Sequence, residues 1–226
     1  MKSFVPYSPW TRKLFNSYLY WNFKKSFENI YCLGLSSLRE VKTPLIFVSN
    51  HVSWWDGFFL FEIQRRIRPN AQIYTVALEK TCRENSILPR MGVLPLQPGN
   101  PGSLKAILNH LQKIRSQIAP EDLVVSFFPQ GKITPSFRKE LEFQRGIESV
   151  ISSLAPATVV PIGIHIEPMT GKKPTAILSV GTPVLCADKV QAKEIEIKVQ
   201  ESLTLVHQHL NDNGEALPKV FESWFS

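Results

Sequence analysis

Ser49-Asn50-His51-Val52-Ser53-Trp54-Trp55-Asp56-Gly57 is the stretch whose residue types could act together chemically, setting one histidine and one carboxylate five positions apart. A histidine with a carboxylate on one ring nitrogen is a general base of fixed tautomer. Its other nitrogen can take a proton from a hydroxyl as that hydroxyl attacks a carbonyl, while the carboxylate stabilises the imidazolium. No serine or cysteine nucleophile is then required. The same spacing also suits a helix-capping aspartate beside a core histidine, so the elements around it must decide.

Leu45 to Val48 predicts a buried strand leading to His51, and Phe58 to Ile67 a helix closing on Arg65, Arg66 and Arg68 before Pro69. Ile73 to Ala77 predicts a second strand. Pro89, Gly92 and Pro95 exclude a long helix between Leu88 and Leu96, which leaves Val93 to Leu96 as a short edge strand. Gln97 to Gly102 reads as a loop and Ser103 as the cap of a helix with Leu104, Ile107, Leu108, Leu111, Ile114 and Ile118 on one face. His110 falls off that face and is expected at the surface.

Leu123 to Phe128 is the clearest buried strand, leaving abruptly into Pro129-Gln130-Gly131-Lys132. In α/β proteins the carboxyl ends of strands carry ligand contacts, and Gly131 would allow close backbone approach, although an ordinary tight turn has the same composition. Gly146 to Leu154 predicts a helix. Thr158 to Ile164 and Thr175 to Val180 predict strands around a Gly171 to Pro174 turn, with His165 at a strand end or in the core. Asp188 to Leu210 predicts the last helix, on which His207 and His209 point to different sides and cannot share a metal. This alternation predicts an α/β fold with a largely parallel central sheet flanked by helices.

The arm that precedes these elements is aromatic and basic. From Trp10 to Tyr31 a helix is predicted, with Trp10, Leu14, Tyr18 and Trp21 on one stripe and Phe15, Leu19, Phe23, Phe27 and Ile30 on the adjoining one. Over residues 1–31, Lys2, Arg12, Lys13, Lys24 and Lys25 stand against Glu28, a net of +4 out of the chain's +7. Charge interrupts the helix too often for it to span a bilayer, but it is composed to lie in a membrane interface. Packing on the core would account for it equally.

With 226 residues the chain can bury one sizeable core, and 43% apolar with 20% charged residues is a globular composition. Cys32, Cys82 and Cys186 form neither a disulfide framework nor metal spacing, and a reducing compartment is expected. The basic balance implies an anionic partner, but the chain lacks the signatures of a nucleic-acid-binding protein, and its first residues do not compose a secretory signal.

The collected residues resemble the glycerolipid acyltransferase superfamily, whose best-known members are the lysophosphatidate acyltransferases. Asn50-His51 with Asp56 matches the family's first motif, Asn-His followed by four residues and Asp. Phe128-Pro129-Gln130-Gly131 stands where the family has Phe-Pro-Glu-Gly. Arg145-Gly146 resembles the basic step after it, Val160-Pro161-Ile162 the fourth motif, and Gly92 to Leu96 the second. The likeness covers about residues 40–185.

The resemblance implies transfer of a fatty acyl group from acyl-CoA or an acylated carrier protein to a lipid hydroxyl, without an acyl-enzyme. It makes His51 the base and Asp56 its orienting partner. Asn50, Gly92, Phe128, Pro129, Gln130, Gly131, Lys132 and Arg145 become candidates for substrate binding, Gly131 and nearby N–H groups for the oxyanion, and Lys132 and Arg145 for anionic groups. It implies no metal and no cofactor beyond the thioester co-substrate. Residues 1–38 would form a membrane-binding arm on an acyltransferase domain of residues 39–226, peripheral to the cytoplasmic side of a membrane, with no nucleic-acid partner.

Four departures bear on the acceptor. The family's Glu, Thr and Arg of the third motif are here Gln130, Lys132 and Ile133, and the terminal Arg of the second falls at about Pro98. Those arginines are associated with the acceptor phosphate, and arginine suits bidentate phosphate binding. A lysolipid with another headgroup or a glycosylated lipid such as a carotenoid glucoside would therefore fit, as would a phosphate held by Lys132. Gln130 reads as a change in acceptor recognition. A thioesterase using the same base on water, and a lipid-binding protein without catalysis, are the competing readings.

Overall fold

The computed structural model describes Phe4 and residues 8–214, 216–217 and 219–225, without the side chains of residues 9 and 11–14. The expectations placed on Lys2, Arg12, Lys13 and the Leu14 side chain therefore lie outside the described residues. In chain order the elements are α1 (Pro9–Ser26), β1 (Ile30–Leu33), β2 (Leu45–Ser49), α2 (Asp56–Ile67), β3 (Gln72–Leu78), α3 (Glu79–Glu84) and β4 (Val93–Leu96). There follow α4 (Pro101–Arg115), β5 (Leu123–Phe127), α5 (Gly146–Leu154), β6 (Ala157–Pro168), β7 (Pro174–Val180), β8 (Val184–Cys186), α6 (Ala192–Asn213) and β9 (Glu222–Ser223).

Among the described residues the strands form one mixed sheet in the order β4-β3-β5-β2-β6-β7-β1-β9, with β8 pairing β6. The run from β4 to β6 is parallel, as is β1 on β7, while β7 and β8 pair β6 antiparallel and β9 pairs β1 antiparallel. The predicted α/β architecture with a largely parallel sheet is what the chain adopts.

Central position explains the composition of β2. All five of its residues are buried, Leu45 and Phe47 joining the core on one face and Ile46 and Val48 the core on the other. A strand covered on both sides has no solvent face to make polar. The first core takes Phe15, Leu19 and Phe23 of α1 and Phe27 just after it, with Phe59, Leu60 and Ile63 of α2; the second takes Ile107 and Leu111 of α4, Ile147 and Val150 of α5, and Ile195 and Val199 of α6. Each such side chain contributes roughly 1.5–3 kcal/mol on burial.

Several boundaries differ from the sequence reading. The first helix ends at Ser26 rather than near Tyr31, because Ile30 and Cys32 turn inward with strand period and pair with β7. That pairing stitches the segment after the helix into the same sheet. Helix α4 begins at Pro101, inside the expected loop. Its cap is Asn100, whose side chain accepts from the N–H groups of Gly102 and Ser103 at 3.0 and 3.3 Å, while Ser103 Oγ accepts from Gln97 N–H at 2.9 Å. His110 is half-buried rather than at the surface, stacked on Phe4 at 4.3 Å and edged against Tyr74 at 6.1 Å. Burial and the nearby Lys113 lower its pKa. Helix α2 starts at Asp56, two residues before Phe58, and α6 at Ala192 rather than Asp188.

Candidate active site

The parallel register sets Val48 beside Phe127 on one side and Pro161 on the other, so the segments that follow β2 and β5 emerge side by side at the carboxyl ends. Asn50 fixes the exit from β2. Buried, it donates through Nδ2 to the Ile164 carbonyl and accepts through Oδ1 from the Ile164 N–H, both at 2.8 Å. His51 follows immediately.

Asp56 opens α2 and is fully buried. Its Oδ2 accepts from the N–H groups of Val52 and Ser53 at 2.6 and 2.9 Å and lies 2.8 Å from His51 Nδ1; its Oδ1 accepts from Ser53 Oγ at 2.5 Å. A buried carboxylate supplied with so many donors at a helix N-terminus is well compensated. With Nδ1 facing Asp56, Nε2 is left as the nitrogen for a substrate. The imidazole also stacks on Phe128, with centroids 4.5 Å apart and 26° between planes.

The main chain of His51 is held from both ends. Its N–H donates to Gln130 Oε1 at 2.6 Å and its carbonyl accepts from Thr134 N–H at 2.8 Å. Gln130 Nε2 donates in turn to Thr134 Oγ1 at 2.7 Å, closing a ring of hydrogen bonds through a side chain only 3% exposed. Gly131 adopts φ +68°, in the region glycine tolerates, and its N–H returns to the Phe128 carbonyl at 3.1 Å. That donor is engaged in the turn and is not directed at a substrate.

A cavity of about 400 Å³ opens beside this assembly. His51, Phe128, Gly131 and Lys132 line it, together with apolar side chains such as Phe58, Phe61, Val76, Met91, Val93 and Phe127. Among the lining residues, His51, Trp54, Thr75, Thr81 and Lys132 carry polar side-chain atoms able to hydrogen-bond. The interior otherwise suits an alkyl chain.

The remaining predicted residues fall elsewhere. Asn50, Pro129 and Gln130, expected to bind substrate, are buried and are not among the cavity's lining residues. Gly92 ends the 88–91 turn at φ +92° and joins Met91 to Val93, which do line the cavity; its own carbonyl accepts from Thr75 N–H. Arg145 lies off the cavity, exposed at the start of α5 and paired with Glu148 at 3.2 Å. Sequence reasoning missed Ser53 and Thr134 as supports. Ser53 sat in view, three residues before Asp56. Thr134 carried no local signal, because its partner is 83 residues away.

The acyltransferase family model matches residues 28–165, which include the His51–Asp56 pair and the turn at Gly131. No curated protein matches the chain. Among solved structures the fold is similar to that of a 1-acyl-sn-glycerophosphate (LPA) acyltransferase, PlsC, from Thermotoga maritima. The TM-score is 0.61 at 16% identity, over 86% of this chain and 79% of that one.

Proposed function

The chain belongs to the acyltransferase family, and from that premise we propose that it moves a fatty acyl group from acyl-CoA or an acylated carrier protein to the hydroxyl of a lysophospholipid-type acceptor at a membrane surface. The observation that carries this reading is the 2.8 Å contact between His51 Nδ1 and a fully buried Asp56 at the wall of an apolar cavity. Asp56 holds the proton on Nδ1. His51 Nε2 then takes the acceptor's hydroxyl proton as its oxygen bonds to the thioester carbonyl carbon. The tetrahedral oxyanion collapses, the carbon–sulfur bond breaks, and the imidazolium returns the proton to the leaving thiolate. The products are an ester and a free thiol. With the Gly131 N–H engaged in its turn, Lys132 on the cavity wall is the group we assign to developing negative charge.

An acyl-glycerophosphate acceptor is carried over from the PlsC likeness. A second acceptor reading, a lysolipid or glycosylated lipid without a phosphomonoester, is favoured by Ile133. It lines the cavity where the family likeness would put arginine, and leaves Lys132 as the cation among the described lining residues. We assign the lipid surface to the exposed side of α1, where Trp10, Tyr18 and Trp21 face solvent. No helix among the described residues is long and apolar enough to cross a membrane.

The test is thiol release and ester formation by the purified protein on anionic vesicles, with long-chain acyl-CoA or acylated carrier protein and a panel of acceptors. Release that depends on one acceptor and falls about 10²–10⁴-fold in His51→Ala supports acyl transfer and names the acceptor. Release indifferent to acceptor makes the protein a thioesterase. Silence with both donors overturns the enzyme reading in favour of a lipid-binding protein.

A further inference from the structure

The connection from Phe128 to Arg145 has no regular secondary structure, and ordered loops of such length usually have work beyond joining two elements. Its course is fixed at many points. Thr134 N–H bonds the His51 carbonyl, Leu141 is buried in the core, Phe143 N–H donates to Glu196 at 3.0 Å, and Gln200 Nε2 donates to the Lys139 carbonyl at 2.9 Å. Between these ties a turn closes with Arg138 N–H on the Pro135 carbonyl at 3.1 Å, and at its tip Phe137 is 82% exposed. An ordered turn thus presents a large apolar ring to solvent.

Four residues before Phe137 the loop is on the cavity wall. Ile133, 53% exposed, is on the cavity wall one residue before the Thr134 tie to His51, and Trp54 and Leu78 are exposed on the same cavity. Trp54 and Phe58 form an edge contact at 5.9 Å, and Phe58 meets Phe15 of α1, which touches Tyr18. The aromatic side of α1 therefore runs on to one rim of the cavity, and the turn continues from another. Lys132 and Lys139, both exposed, flank the turn, with Glu140 exposed just after it; Arg138 is paired with Glu142 at 2.6 Å. Exposed apolar side chains gathered on a cavity rim and edged by lysines, on a chain of net charge +7, fit an anionic lipid surface.

We propose that the 135–138 turn, with Phe137 at its tip and Ile133 at its base, is a second lipid-contacting element, which lowers the cavity mouth onto an anionic bilayer. Its purpose rests on the proposed lipid acceptor, which would enter from the bilayer beside His51. The contact itself is a property of the surface. Phe137 and Ile133 would enter the interface while Lys139 meets headgroup phosphates.

The three native cysteines are buried, and burial first of all raises their pKa values, that of Cys82 to about 11. A thiol introduced at Phe137→Cys can therefore be labelled selectively with an environment-sensitive dye such as nitrobenzoxadiazole. The expected result is a blue shift and a rise in emission on phosphatidylglycerol-containing vesicles, weak on pure phosphatidylcholine and absent for a label at Glu201→Cys on α6. Phe137→Asp should weaken vesicle binding about tenfold, while transfer between a short-chain thioester and a dispersed short-chain acceptor keeps its wild-type rate. A label that stays unchanged on anionic vesicles overturns the proposal, whether or not α1 holds the protein there. So does a label that responds only to acylated carrier protein, or unaltered vesicle binding by Phe137→Asp. Absence of acyl transfer in every format would defeat the proposed function and leave the dye measurement to decide the turn alone.

Discussion

Gln130 does its work on main chain. It accepts the His51 N–H, donates to Thr134, and is too deeply buried to meet an acceptor in the cavity. The task demands an oxygen acceptor, which a glutamate offers as well, with the Thr134 hydroxyl turned round to donate. Gln130→Glu is accordingly expected to keep activity within a few-fold and leave acceptor preference alone. Gln130→Leu strands a buried N–H, costing about 1–3 kcal/mol of stability, and should lower kcat with little change in the acceptor KM. Steady-state kinetics on both variants, with denaturation curves beside them, make the check. An acceptor KM or preference that moves in Gln130→Glu would restore the recognition role that the sequence suggested. The His51–Asp56 pair was legible because both partners lie in one short stretch, at a strand exit and a helix start. The bond between Gln130 and His51 was not legible, because the two lie 79 residues apart and sequence spacing carries no trace of it.

Between β6 and α6 the backbones come close. A Cβ on Gly163 would lie 2.8 Å from Leu203 N, and two residues on, His165 Nδ1 faces His207 Nε2 at 3.3 Å while its Nε2 meets Glu167 at 3.1 Å. Burial, then His207, lowers the His165 pKa below its ordinary 6.5, against the pull of Glu167. The unfolded chain then takes up the proton first, so the stability linked to His165 is complete above that value and declines as the pH falls through it. Thermal melts between about pH 7.5 and 5.5 should show Tm falling on the acid side, and His207→Ala, which removes one of the two named causes, should make the fall shallower. A Tm independent of pH in that range, or an unchanged slope in the variant, counts against the assignment. At this scale the period of α6 was readable, since Ile195, Val199, Leu203 and Val206 are buried as predicted. Ends were less so: Asn100, not Ser103, caps α4 because Pro101 can open a helix in a segment whose composition says loop.

At the scale of the molecule, α1 has two faces, one in the core and one toward solvent. Phe23 meets Phe59 at 5.4 Å, Trp55 at 5.7 Å and Trp224 at 6.0 Å and is sealed in the core, whereas Trp10 and Trp21 are 75% and 60% exposed. Lys24 and Lys25 lie over the Tyr20 and Trp21 rings, at 4.8 and 5.3 Å from their centroids, so cation and aromatic face outward together. The sequence offered membrane contact and core packing as rivals for this helix; Phe15, Leu19 and Phe23 pack in the core, and the outward rings leave a second side for the lipid contact proposed above. The faces should separate by experiment. Phe23→Ala is expected to cost about 3–5 kcal/mol of stability, whereas replacing Trp10 and Trp21 together by serine should change stability by no more than about 1 kcal/mol and weaken vesicle binding instead. Salt divides the binding further. Attraction of the +7 chain to anionic headgroups fades as the Debye length shrinks from about 10 Å at 0.1 M to about 3 Å at 1 M salt, while apolar insertion persists. Vesicle co-sedimentation across that range should find a salt-resistant residue of binding in the wild type that the double tryptophan variant has lost. If the variant instead loses only the salt-sensitive part, the rings stay out of the interface and the attachment through α1 is electrostatic.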